Sequence, residues 1–210
     1  MRFICLAIAI MALSLIAWAA PALAAPIVVE DRLYLDSDEQ PDHNLKLVVP
    51  SGDGAFEFSW RPNDPGNWDF GVRLPRIDLG QDAKLQPRLI ALFREGDLKG
   101  VKMQSLATGK LSDELGWYNF SSLRFMKDSK TTFYEELSAD LTKSEAATIS
   151  LIGIVSGTFA NGAETQVNLG PAITFPLSIH GDSATLQFYW GPSLSGDDDT
   201  TWVMFDWFID

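Results

Sequence analysis

The chain has 210 residues, a single cysteine and a formal net charge of −12. This length suits one domain, or two small ones. A chain this acidic repels phosphates, which excludes nucleic acid as an expected partner.

The first residues have the pattern of an export signal. Arg2 supplies a positive start, residues 3–20 are almost entirely apolar, and Ala22-Leu23-Ala24 forms a small-x-small cleavage site. We expect a signal peptide over residues 1–24. Cleavage would remove Cys5, so the exported chain would be cysteine-free, with no disulfide, thiol nucleophile or cysteine metal site.

The next segment, residues 25–44, is acidic and carries one arginine, Arg32. Val28, Val29, Leu33 and Leu35 in this segment predict one short strand, and the rest is expected to be solvated or loosely attached. The β domain is then expected over residues 45–210.

From Leu45 onward, apolar and polar residues alternate. Residues 45–49, 56–60 and 68–74 each follow this period of two and are separated by turn-forming sequences. They predict three successive strands of an antiparallel sheet. The polar face of this sheet would carry charged side chains, namely Lys46, Glu57, Arg61, Asp69 and Arg73.

The middle of the chain is less regular. Residues 89–94 and 98–106 flank a turn around Gly96 and predict a hairpin, whereas residues 117–126 and 131–141 alternate less clearly. Residues 144–159 leave two interpretations open. Thr142 and Glu145 resemble a helix capping box, but several β-branched residues and the following Asn161-Gly162 turn favour a strand.

The last third alternates most clearly. The runs are residues 165–179, 184–190 and 203–209, with a turn predicted at Gly181-Asp182. The fold class is therefore all-β. We expect a single antiparallel up-and-down β-barrel of about 8–12 strands, with a soluble β-sandwich as the alternative.

Charge patterning favours the barrel. Residues 146–196 contain two charged residues, Glu164 and Asp182, and both fall at predicted turns. Strands without charge on either face are typical of a membrane barrel with a polar lumen. Five tryptophans near strand ends suit a membrane interface, namely Trp60, Trp68, Trp190, Trp202 and Trp207. Pro171, Pro176 and the charged stretch 88–102 favour the soluble alternative instead.

These patterns predict a small, non-enzymatic barrel in the outer membrane of a Gram-negative bacterium, in contact with lipid. Its role would be structural, or passage or recognition of a small solute. The lumen or ligand candidates are Lys46, Glu57, Arg61, Trp68, Asp69, Arg73 and His180. The alternative is a periplasmic or secreted β-sandwich that binds a glycan or a partner protein through loop tryptophans.

Other candidate sites are weaker. Ser178, His180 and Asp182 are close enough in sequence for a minor hydrolase hypothesis. Glu135 and Glu136 are adjacent on a predicted strand and should point to opposite faces, which disfavours paired-carboxylate chemistry. The carboxylates of Asp197, Asp198 and Asp199 are a candidate calcium site, and no other cofactor is expected.

Overall fold

The computed structural model describes residues 26–35, 42–62, 64, 66–80, 82–127, 129–159, 165–195 and 199–209. The expected signal peptide lies outside these residues. Within them, no helix is long and apolar enough to cross a membrane.

The described residues form thirteen β-strands. In chain order they are β1 (Ile27–Tyr34), β2 (Asp42–Ser51), β3 (Gly54–Trp60), β4 (Asn67–Arg73), β5 (Ile77–Gly80), β6 (Ala83–Arg94), β7 (Asp97–Lys110), β8 (Gly116–Met126), β9 (Thr132–Lys143), β10 (Thr148–Thr158), β11 (Thr165–Ile179), β12 (Asp182–Gly191) and β13 (Thr200–Ile209).

The strands pair antiparallel in one sheet that closes on itself. β1 pairs with both β2 and β13, and β4 pairs with residues 88–94 of β6. The short β5 pairs with residues 83–85 of β6, beyond the part that β4 covers. The result is a ring of twelve strands with β5 as an extra strand. The single up-and-down barrel is confirmed, and the β-sandwich alternative is wrong because the sheet forms a closed ring.

The predicted strands are found where the hydrophobic alternation placed them. Residues 45–49, 56–60 and 68–74 fall in β2, β3 and β4, which pair in that order. Residues 148–158 are strand β10, so the helix interpretation of this region is wrong. The short strand expected in the acidic segment 25–44 is β1, and it is a full member of the ring.

One hairpin turn differs from the prediction by a residue. Ile179 pairs with Asp182, so the two-residue loop is His180-Gly181 rather than Gly181-Asp182. Both loop residues have positive φ, 52° and 97°. A type I′ turn requires positive φ at both central positions, and its twist matches the flanking strands.

The two prolines do not interrupt β11. This strand runs unbroken for 15 residues, with Pro171 opposite Leu151 and Pro176 opposite Thr185. In an antiparallel ladder each residue exchanges hydrogen bonds with only one of its two neighbours, so each proline removes at most one bond. The charged stretch 88–102 likewise belongs to the barrel, as the β6–β7 hairpin.

The two ends of the barrel differ. Ile27 and Ile209 pair at one end, which we call the terminal end. Connections there are the turns 52–53 and 180–181, the segments 111–115 and 144–147, and the longer segment 74–82 that holds β5. The opposite end, the loop end, carries the connections 35–41, 61–66 and 192–199 as well as the two-residue turn 95–96. Short turns at one end and longer loops at the other are typical of outer-membrane barrels.

Candidate functional site

The barrel is polar inside and apolar outside. Its buried side chains include Glu57, Arg88 and Glu136, while large apolar side chains are exposed along most strands. The exposed set includes Phe56, Phe70, Leu89, Met103, Leu123, Leu137, Leu151, Leu169, Phe188 and Trp190. This inversion of the usual soluble pattern is the pattern expected of a strand barrel in lipid.

The lumen contains a cavity of about 580 Å³. Six cationic and four acidic side chains line it: Arg32, Lys46, Arg61, Arg88, Lys102 and Arg124, and Glu30, Glu57, Glu136 and Asp206. Ion pairs bring Arg73, Arg94 and Asp69 to the same wall. Among these described residues, eight cations face five carboxylates. These thirteen side chains therefore carry an excess of three positive charges, in a chain whose net charge is −12.

The strands β2 to β7 hold two buried carboxylates, each between two cations. Glu57 accepts a hydrogen bond from Nε of Arg73 at 2.7 Å and lies 3.9 Å from Nη1 of Arg88.

Asp69, the second of these carboxylates, accepts a hydrogen bond from Nζ of Lys102 at 2.6 Å and another from Nη1 of Arg94 at 3.4 Å. Across β1 and β2, Nζ of Lys46 donates to Oε1 of Glu30 at 2.6 Å. Buried charge needs such partners, because an unpaired ion in this setting costs several kcal/mol.

Arg124 differs from these cations. It faces the cavity from β8, directly opposite Lys102 in the strand register. Among the described residues it has no ion-pair partner, whereas Arg73, Arg88, Arg94 and Lys102 are each paired with a carboxylate. A guanidinium that faces a cavity without such a partner can bind an incoming carboxylate or phosphate.

Glu136 lies on the other side of the lumen, on β9. It is 1% exposed and accepts hydrogen bonds from the hydroxyls of Tyr118 and Tyr134. Arg32 on β1 also donates to it, with 3.4 Å between Nη1 and Oε2. The Arg32 guanidinium lies 4.6 Å from the centre of the Trp202 ring.

The remaining wall of the cavity carries no charge. It is formed by Thr174 on β11 and by Thr185 and Gln187 on β12. Nε2 of Gln187 donates to the Thr174 hydroxyl at 2.8 Å, and its Oε1 has no partner among the described residues. This wall offers neutral donors and acceptors opposite the cations of β2 to β8.

The structure places the sequence-predicted residues in three groups. Lys46, Glu57 and Arg61 line the cavity, and Asp69 and Arg73 are ion-paired beside it.

Two candidates are not brought to the lumen. Trp68 lies on the outer face with its ring stacked on Phe93, at 4.0 Å between centroids, because it shares the strand face of exposed Phe70. His180 lies in the exposed turn 180–181 at the terminal end.

The lumen charges of β1 and β6 to β9 were not predicted from the sequence, above all Arg32, Arg88, Lys102, Arg124 and Glu136. On β1, Glu30, Arg32 and Tyr34 follow a period of two, but Asp31 between them is also charged. Trp202 was predicted at the membrane interface and is instead fully buried inside the barrel.

Among the described contacts, none joins Ser178, His180 and Asp182, and the Asp182 carboxylate accepts from Nε1 of Trp207 at 3.2 Å. The three residues of the hydrolase hypothesis are therefore not brought into contact with one another.

Glu135 and Glu136 point to opposite faces, as predicted, and Glu135 bonds to Asn119 on the outer face. Asp197 and Asp198 lie outside the described residues, whereas Oδ1 of Asp199 accepts from the backbone of Ser193 at 2.9 Å. The described residues contain no group of three or more metal-binding side chains.

Comparison with known proteins identifies the architecture. No protein-family model and no curated protein matches the chain. The solved structures similar to it include a KdgM porin, at 10% identity and a TM-score of 0.54, and a KdgM porin in complex with disordered oligogalacturonate, at 8% identity and a TM-score of 0.56. Each alignment covers 86% of this chain and 98% of the other. The chain thus has the fold of a porin-like, closed antiparallel β-barrel.

Proposed function

We propose that this protein is exported by residues 1–24 and spans the outer membrane of a Gram-negative bacterium, where its lumen admits small anionic solutes. The single observation that carries the proposal is the excess of positive charge in the lumen of a barrel whose outer face is apolar. A lumen of one charge sign attracts ions of the opposite sign and repels the others.

The chemistry of the lumen favours acidic sugars among such solutes. Guanidinium and ammonium groups on β2 to β8 suit carboxylates, and the neutral wall of Thr174, Thr185 and Gln187 suits hydroxyls. A similar barrel has been solved with an oligogalacturonate, which is consistent with this solute class.

Fractionation tests the location. We expect the protein in membranes that resist a carbonate wash, with a gel mobility that changes on boiling, as for a folded barrel. Recovery of the protein in a soluble fraction would reject the membrane proposal.

Ion selectivity tests the function. In a planar bilayer separating two KCl concentrations, the sign of the reversal potential should show a preference for chloride. Arg124→Gln removes one lumen charge and should shift the potential toward zero. Lys143→Gln removes the same charge from an exposed position at the end of β9 and should leave it unchanged. A folded barrel without conductance would leave only a structural or recognition role.

A further inference from the structure

Arg32 and Glu136 connect two distant strands across the lumen. In the ring of twelve strands, β1 and β9 are separated by β10, β11, β12 and β13 on one side. Counted along this side of the ring, β1 is the fifth strand from β9, and the sixth strand would lie diametrically opposite. We call Arg32 and Glu136 the cross-lumen pair.

Hydrogen bonds from two tyrosines orient the Glu136 carboxylate towards Arg32. Its Oε1 accepts from Tyr118, and its Oε2 accepts from both Tyr134 and Arg32. The two tyrosines fix the carboxylate on one wall. The contact with Trp202, at 4.6 Å, fixes the guanidinium from the other. The pair is thus oriented at both ends.

Behind the pair, the lumen is filled with apolar side chains. Ile152, Ile154, Tyr189 and Trp202 form a buried cluster with Ala172. Tyr189 and Trp202 lie near the ends of β12 and β13 that meet at the loop end, and their rings are 5.1 Å apart. Towards the loop end, this cluster occupies the side of the lumen formed by β10 to β13.

We propose that the cross-lumen pair sets the size limit of the lumen. Towards the loop end, it retains the apolar cluster against β10 to β13 and restricts passage at that level to the charged side along β2 to β8. Glu136 is a positioning residue that acts through Arg32, and Arg32 borders the path of the solute. The size limit rests on the proposed function, whereas the retention of the cluster does not.

The test uses Glu136→Gln with Glu135→Gln as its matched control. Glutamine has one acceptor oxygen in place of two, so it cannot accept from both tyrosines and from Arg32. Glu135 undergoes the same chemical change one residue away, on the outer face. Liposome swelling with neutral polymers of increasing size measures the largest polymer that passes the lumen, which is the size cut-off. We expect Glu136→Gln to shift the cut-off to larger polymers and Glu135→Gln to leave it in place.

A second measurement does not depend on passage. In a chain with Cys5→Ser, Ala172→Cys places one thiol in the apolar cluster, where Ala172 is 2% exposed. A water-soluble thiol reagent should label it slowly in the parent protein and several-fold faster with Glu136→Gln. Equal labelling rates and an unchanged cut-off would overturn the proposal.

The two proposals can fail separately. A parent protein that passes nothing, together with faster labelling of Glu136→Gln, rejects the proposed function and supports the retention of the cluster by the pair. A parent protein that passes anions, together with unchanged labelling and cut-off, supports the function and overturns the role of the pair. If Glu136→Gln does not fold, Arg32→Gln replaces it, because Tyr118 and Tyr134 still satisfy Glu136 in that variant.

Discussion

Replacing Glu57 by glutamine removes the carboxylate that separates two arginines inside the barrel. Glu57 is 4% exposed, and it lies 2.7 Å from Arg73 and 3.9 Å from Arg88. At an effective dielectric constant of 20, two unit charges 4 Å apart attract by about 4 kcal/mol. Breaking a buried ion pair by removing one partner costs about 3–5 kcal/mol. Because these side chains border a cavity, we expect the lower limit, about 3 kcal/mol.

The same substitution lowers stability but should increase the selectivity of the lumen for anions. Losing a carboxylate raises the excess of positive charge in the lumen, so Glu57→Gln should prefer anions more strongly than the parent protein. The variant would then be less stable and more selective. Urea unfolding in lipid vesicles, followed by tryptophan fluorescence, measures the first effect, and the reversal potential in a salt gradient measures the second.

The control is a carboxylate in an exposed ion pair. Asp97 lies 3.2 Å from Lys99, and its side chain is 75% exposed. Asp97→Asn should therefore change the free energy of unfolding by less than about 1 kcal/mol. If Glu57→Gln and Asp97→Asn were equally stable, the lumen charges would not be held in ion pairs and our description of the site would be refuted.

Two further predictions concern packing. Trp202→Ala should lower the free energy of unfolding by about 3–5 kcal/mol, because this ring is fully buried inside the barrel. Trp190 is 54% exposed on the outer face, so Trp190→Ala should lower the free energy of unfolding much less. Equal losses in urea unfolding would contradict the inward placement of Trp202. Gly170→Ala should prevent correct folding, since its Cβ would clash with the carbonyl oxygen of Trp190. Gly153→Ala should be tolerated because its Cβ would make an ordinary contact with Leu169. The shift in gel mobility on boiling reports both glycine variants.

Much of the fold could be predicted because the barrel has an apolar outer face and a polar lumen. This division produces the alternation of β2 to β4 and of β11 to β13, and with it the polar partners Lys46, Glu57 and Asp69. On β1 the alternation is less clear. Asp31 points outward between Glu30 and Arg32, so the strand has charge on both faces and resembles a solvated segment.

Other features depend on the closed ring and could not be read from one strand. The Arg32–Glu136 contact requires the number of strands and their register, because only these decide which residues meet across the lumen. Trp202 is a different case. It shares a strand face with Met204 and Asp206, so the alternation of β13 already indicated an inward position, and proximity to the strand end was the poorer guide.

The uneven distribution of lumen charge has a consequence for any solute that the lumen would admit. The cations lie on β2 to β8 and on β1, whereas β11 and β12 present neutral side chains to the cavity. The electric field of the wall therefore points across the pore as well as along it. A flat molecule with acidic groups on one edge and hydroxyls on the other would be turned about the pore axis until its acidic edge met β2 to β8. Two isomers of equal size and charge that carry their acidic groups differently around the ring would then pass at different rates.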